Sequence, residues 1–290
     1  MLSLHTNNAS LSAQNSIAKT QSQLSTSMTR LSTGYRINSA MDDAAGLQIA
    51  TRLKAQTSGM TVAMSNTQNS TSMLQTAEGA FGEVTNMLVR MKDLATQAAD
   101  ASSNTQDKTA MQAEYNALGQ ELYNVMTNTT FGGSLLMGNG TGTTGTLSAA
   151  MTFQIGASST EKMSIDVKQN MVDLSASLLA ATKNFAAAGS TGASELTTTA
   201  NATIDLLATA INDVGVVRSA LGAAANRLDH INSNLSNIAT NTKAATGRIM
   251  DVDFATESSN MTSSQMLLQA GTAMLKQSNS MSSMVMSLLQ

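Results

Sequence analysis

Apolar residues recur at steps of three and four over two very long stretches of this chain. In the C-terminal half the series is Val214, Val217, Leu221, Ala224, Leu228, Ile231, Leu235, Ile238, Thr242, Ala245, Ile249 and Val252. In the N-terminal half it begins Gly46, Ile49, Leu53, Gln56, Met60, Ala63, Thr67 and Ser70. It continues through Leu74, Ala77, Phe81, Val84, Leu88, Met91 and Ala95 to Ala98. Such alternation lays one narrow seam along an α-helix and asks for a partner helix. At about 1.5 Å per residue each stripe extends roughly 55–75 Å, well beyond an ordinary globular helix.

The rest of the pattern predicts helices over about 46–99, 105–129 and 195–249, with Met111, Tyr115, Leu118 and Leu122 on one face of the middle one. A β-rich segment is expected over about 131–193. There Met151, Phe153 and Ile155 alternate with polar neighbours, as do Met163, Ile165 and Val167. Gly156 to Lys162 reads as the hairpin loop between them, and a short helix is expected from Met171 to Phe185. Near the N-terminus Leu24, Met28, Leu31 and Tyr35 mark a seam, with Leu4 and Leu11 a looser one. Near the C-terminus Leu267, Ala270, Met274, Gln277, Met281, Met284 and Leu288 mark another.

These end segments are short of large apolar groups, and after Glu257 the only charged side chain is Lys276. Ordering a residue costs about 1–2 kcal/mol, which such a helix alone does not offset. The expectation is that both ends are largely disordered in a free monomer and become helical against each other and neighbouring copies. On that basis Leu31→Asp or Leu235→Asp should abolish association, while changes at Thr141 or Thr144 should not.

Composition narrows the class. Of 290 residues, 3% are aromatic and 12% charged, with no Pro, Cys or Trp. Few aromatics suit thin helix–helix seams better than a bulky core, and proline would interrupt long helices. A net charge of -3 argues against a nucleic-acid partner or a membrane-surface role. No apolar run approaches the ~18 residues of a membrane span, and residues 1–12 lack the basic start and apolar run of a cleaved signal. His5 and His230 are the only histidines, so neither a metal or other cofactor site nor catalysis is expected. Gly138, Asn139, Gly140 and Gly142 lack the context of a phosphate loop. The 21 methionines read as flexible core filler and suggest sensitivity to oxidation.

Two motifs at opposite ends carry a resemblance. Arg30-Leu31-Ser32-Thr33-Gly34-Tyr35-Arg36-Ile37-Asn38-Ser39-Ala40, continuing Asp42-Asp43-Ala44-Ala45-Gly46-Leu47-Gln48-Ile49-Ala50-Thr51-Arg52-Leu53, resembles the N-terminal signature of bacterial flagellins. Ile249, Asp251, Asp253, Phe254-Ala255-Thr256-Glu257, Asn260-Met261, Gln265, Leu267, Gln269-Ala270-Gly271-Thr272 and Ser287-Leu288-Leu289 resemble the C-terminal one. The likeness covers roughly residues 1–136 and 195–290. Phe131-Gly132-Gly133 and Thr152-Phe153-Gln154-Ile155-Gly156 are similar to the family's β-rich segment. The short centre and the Leu4-His5-Thr6-Asn7 opening look more like lateral-type flagellins. The basic residues and proline often seen in the family's final helix are absent. Thr262-Ser263-Ser264 and Ser278-Asn279-Ser280-Met281 stand there instead.

The resemblance implies a mainly α fold, with long antiparallel α-helical coiled coils formed by the N- and C-terminal segments and a small β-hairpin region in the centre. Residues 1–44 plus 250–290 would form an inner terminal-helix domain and 45–249 an outer helical domain. The function implied is a structural subunit, not an enzyme, that polymerises into the extracellular flagellar filament for swimming or swarming. It would leave the cell without a cleaved signal, through the flagellar type III export apparatus. Its partners would be copies of itself, a flagellin export chaperone, and filament cap and hook-associated proteins. The expected self-assembly seams are Leu24, Met28, Leu31, Tyr35, Leu221, Leu228, Ile231, Leu235, Ile238, Leu267, Met274, Met281 and Leu288. Arg36, Asp42, Asp43 and Arg52 are candidates for ion pairs between subunits, against the alternative of solvated charges worth ~0–1 kcal/mol each. Val89-Arg90-Met91-Lys92-Asp93-Leu94-Ala95 is similar to the family's Toll-like receptor motif, and Arg90, Leu94 and Glu114 match its contact positions. Val89, Met91 and Lys92 depart from it. Two rivals stay open. One is a hook–filament junction protein; the other is a chemoreceptor-like helical hairpin, which wants continuous heptads through its centre.

Overall fold

The computed structural model describes residues 7–138, 145–185 and 194–288, the side chains of 282–288 excepted. The helices are α1 (Asn8–Thr33), α2 (Ala44–Ala99), α3 (Thr105–Asn128), α4 (Lys168–Ala181), α5 (Glu195–Thr198), α6 (Ala200–Met250) and α7 (Phe254–Leu288). Two hairpins lie between α3 and α4: β1 (Thr130–Phe131) with β2 (Ser134–Leu135), and β3 (Met151–Gln154) with β4 (Lys162–Ile165). The chain divides into two compact units: residues 1–57 with 240–290, and residues 58–239.

In the unit of residues 58–239 the stripes close on themselves. Met60, Ala63, Thr67, Ser70, Leu74, Ala77, Phe81, Val84, Leu88, Met91, Ala95 and Ala98 of α2 are all buried. From α6, Leu207, Ala210, Val214, Val217, Leu221, Ala224 and Leu228 join the same hydrophobic cluster. Leu235 and Ala239 pack with Met60 and Ala63 in a smaller one. By length and composition α6 could span a bilayer, a stretch that counting consecutive apolar residues did not find. Its apolar line lies instead in this core.

Local chemistry sets the other elements of this unit. Asn104 and Asp107 cap each other's backbone at the start of α3. Gly132 and Gly133, with φ of 58° and 84°, supply the two left-handed positions that a two-residue hairpin turn needs between β1 and β2. In the second hairpin Met151 faces Ile165 and Gln154 faces Lys162, while the Gln154 amide donates to Gly156 O (2.9 Å) and Ser158 O (2.6 Å) across the loop. Helix α4 ends at Ala181 rather than continuing to Phe185, and Lys183–Phe185 forms a 3₁₀ turn. Tyr115 is fully buried with its hydroxyl donating to Ala181 O at 2.6 Å; burial pushes that hydroxyl far above the usual phenol range. The helix expected over 195–249 breaks at Thr199. Hydroxyls of Thr197 and Thr198 donate back to Ser194 O and that of Thr199 to Glu195 O, competing with helix continuation in a run of β-branched residues.

In the other unit α1 and α7 pair along most of their length. Asn7 caps α1 by accepting from Ser10 N at 3.1 Å. At the far end Gly34, at φ 76°, adopts the left-handed conformation that closes a helix, its N–H donating to Arg30 O at 2.9 Å. The pair is antiparallel: Asn7 Nδ2 donates to Ser278 O at 3.3 Å and Ser10 Oγ to Asn279 Oδ1 at 3.2 Å. At the other end Arg36 N donates to Met250 O and Val252 N to Gly34 O. A Cβ on Gly271 would stand 2.9 Å from Ile17 Cγ1, so glycine permits the close approach there.

Candidate functional site

The seam between α1 and α7 is made largely of small and polar residues. On α1 the covered line is Ser10, Ala13, Ile17, Thr20, Leu24, Ser27 and Leu31; on α7 it is Glu257, Met261, Ser264, Leu268, Gly271, Leu275 and Ser278. Both keep strict steps of three and four. Six of these fourteen are large apolar residues. Against them, Leu11, Met28, Phe254, Met266, Leu267, Met274 and Met281 of the same two helices are exposed. Leu267, Met274 and Met281 stand seven residues apart on one face and are 60%, 69% and 58% exposed.

The expected seam residues therefore separate into two sets. Leu24 and Leu31 are half-buried between α1 and α7, and Leu221, Leu228 and Leu235 are buried, with Ile231 half-buried beside them. Met28, Tyr35, Ile238, Leu267, Met274 and Met281 are exposed, and the covered positions are their neighbours Ser27, Gly34, Ala239, Leu268 and Leu275. On α7, and at Met28, Tyr35 and Ile238, the covered line thus lies one position away from the one marked by large side chains. In the first turns of α2 the same displacement buries Ala50 and exposes Ile49. The side chain of Leu288, like Thr141 and Thr144, lies outside the described residues.

Between α1 and α2 the charges are used locally. Asp42 accepts from Asn38 N (3.0 Å) and from Ser39 N (2.9 Å), and those backbone donors hold its carboxyl below the usual carboxylate range. Its other oxygen lies 3.9 Å from Arg30, which also stands 3.7 Å from Glu257. Asp43 accepts from Gly46 N at 2.8 Å and so caps α2. Arg36 Nη2 donates to Ile249 O at 2.9 Å. Of the four expected inter-subunit charges, Arg52 alone has no such bond or ion pair among the described residues. Sequence reading missed Ile37, buried beside Gly46, whose missing Cβ leaves room for the Ile37 side chain at 2.8 Å. An apolar residue inside a charged loop was the available signal. Met41 and Met266, both exposed, were also missed.

Asp253 caps α7, accepting from Thr256 Oγ1 at 2.7 Å and Ala255 N at 3.1 Å; both bonds lower its pKa. In the other unit, Arg90 Nε and Nη2 grip Glu114 Oε1 at 2.8 and 2.7 Å on the surface between α2 and α3. Leu94 is 2% exposed and belongs to the core, so only the charged pair is presented to solvent.

This arrangement has relatives. Residues 4–141 match the bacterial flagellin N-terminal helical region and residues 204–289 the bacterial flagellin C-terminal helical region. A flagellin of Bacillus subtilis is 36% identical over 98% of both chains. The chain belongs to the bacterial flagellin family. Flagellin A of Vibrio anguillarum is 32% identical over the full length of both chains. A proposed flagellar hook-associated protein from Vibrio parahaemolyticus shares the fold, with a TM-score of 0.55 over 72% of this chain and 100% of that one, at 16% identity. As a flagellin, the protein is a structural subunit of the flagellar filament, outside the cell, and it assembles with copies of itself.

Proposed function

We propose that the exposed faces of α1 and α7 are the surfaces that copies of this chain close over one another in the filament. One observation carries the proposal: among its described side chains the pair leaves seven large apolar residues exposed and covers six in its own seam. An exposed apolar line at heptad spacing is the mark of a helix that lacks a partner. A contact that does not close on itself repeats into a helical polymer, as this function needs. Residues 1–44 with 250–290 would form the inner, self-associating layer and 45–249 the outer one. Arg52 is the remaining candidate for an ion pair between copies. Swimming or swarming, passage through the type III export apparatus with a chaperone, and growth beneath a cap beyond hook-associated proteins follow from family membership as part of the same proposal. So does recognition of the monomer by a host Toll-like receptor through Arg90 and Glu114, a pair supported by its exposure.

Electron microscopy of salt-induced polymers tests the central point. Met274→Asp should give no filaments, whereas Met274→Leu should polymerise as the parent does. Filaments of normal length from Met274→Asp would exclude the α7 face.

A further inference from the structure

Among the described residues methionine runs from buried to exposed, and the two extremes fall in different units. In the unit of residues 58–239, Met60, Met91, Met126, Met137, Met151, Met163 and Met171 are buried, and Met64, Met73, Met87 and Met111 are half-buried. Met28, Met41, Met266, Met274 and Met281 are the exposed methionines among the described residues, and all five belong to the unit of α1 and α7. Met41, in the loop before α2, is 96% exposed. They supply half of the large apolar groups exposed in that unit, the others being Leu11, Tyr35, Ile49, Phe254 and Leu267.

We infer that these five methionines are an oxidation site through which a hydroperoxide blocks assembly reversibly before the filament closes over them. The inference rests on the reading that the outer face of α1 and α7 is the assembly surface. A sulfur lone pair attacks one peroxide oxygen; an S–O bond forms as the O–O bond breaks. The thioether gives up two electrons to become a sulfoxide, and the departing oxygen takes the proton of the transferred hydroxyl and leaves as water or alcohol. The product is a strong dipole where an apolar contact is required, and burying it without a donor is unfavourable. On α7 Lys276 is the only charged group after Glu257, so the stretch that carries Met266, Met274 and Met281 has little other charge to mask the change. Reduction of the sulfoxide by a dithiol, catalysed by sulfoxide reductases, returns the thioether and releases water as the dithiol gives up two electrons and becomes a disulfide. The seven buried methionines of the other unit lack a path to the oxidant, and its half-buried Met64, Met73, Met87 and Met111 should react more slowly than the exposed five, so the modification falls first outside that core.

The test uses the full chain with hydrogen peroxide as the oxidant. Monomer and preformed filament are oxidised in parallel, sulfoxides are mapped by peptide mass spectrometry, and the critical concentration for seeded growth is measured. The five exposed positions should oxidise first in the monomer and be protected in the filament. The critical concentration should rise by about tenfold or more, recover on treatment with both sulfoxide reductases and a dithiol, and stay unchanged in a Met→Leu variant at all five positions. If the positions oxidise equally in filament and monomer, the assembly reading fails and takes this inference with it. If they are protected but the oxidised monomer grows normally, or the Met→Leu variant is inhibited as strongly, the inference alone is overturned.

Discussion

The two units place the same kind of stripe in opposite situations. Along α2 and α6 of residues 58–239, the positions that repeat at three and four are mostly apolar and nearly all covered, with Phe81, Leu88, Met91 and Val214 having no exposed surface. Along α1 and α7 the covered positions are often Ser, Thr, Ala or Gly, and seven large apolar groups face outward. The first unit is a finished core; the second joins its two helices through a thin seam only and keeps its apolar surface for other copies. A heptad pattern by itself does not say which of these a helix will be.

One substitution in each unit breaks the comparison most sharply. Leu88→Ala removes buried methyl groups from a closed cluster and should cost about 2–5 kcal/mol of monomer stability in chemical denaturation. Met274→Asp, on an exposed face, should leave that stability within about 0.5 kcal/mol while removing assembly. A large loss from Met274→Asp would mean that α7 is as closed as α2.

A smaller effect is expected where the finished unit meets solvent. The Arg90–Glu114 pair is about half exposed, so Arg90→Ala should change monomer stability by only ~0–1 kcal/mol. In a receptor reporter-cell assay the same variant should lose most of the response. Equal responses to both proteins would remove the receptor from the list of partners.

The smallest effect is titratable. Asp42 and Asp253 have folded pKa values below the ordinary 3.8. Their contribution is complete above that value and is lost as pH falls through the lowered folded one. Acidification below about pH 4 should therefore loosen the α1–α7 unit, and Asp42→Asn should flatten that part of the stability profile, read by circular dichroism against pH.

The closed core was largely legible: each expected α2 position from Met60 to Ala98 is buried, and the β3–β4 hairpin lies at the alternating residues. The thin seam was not, because hydrophobicity points to the largest side chains. There it selected Met28, Leu267 and Met274, while Ser27, Leu268 and Leu275 are the covered ones. Close packing of Gly271 on Ile17 has no apolar signature. The break at Thr199 was hidden because hydroxyl-to-backbone competition leaves no trace in an apolar stripe. Asp42 and Asp43 drew notice as charges, yet their geometry spends them on backbone donors within a few residues.

Amide hydrogen exchange on dilute monomer and on filament most directly tests whether one unit stays unfinished until copies meet. Residues 8–33 and 254–281 should exchange rapidly in the monomer and slowly in the filament, while 74–98 and 207–228 stay protected in both. Equally strong protection of all four segments in the dilute monomer would contradict the account.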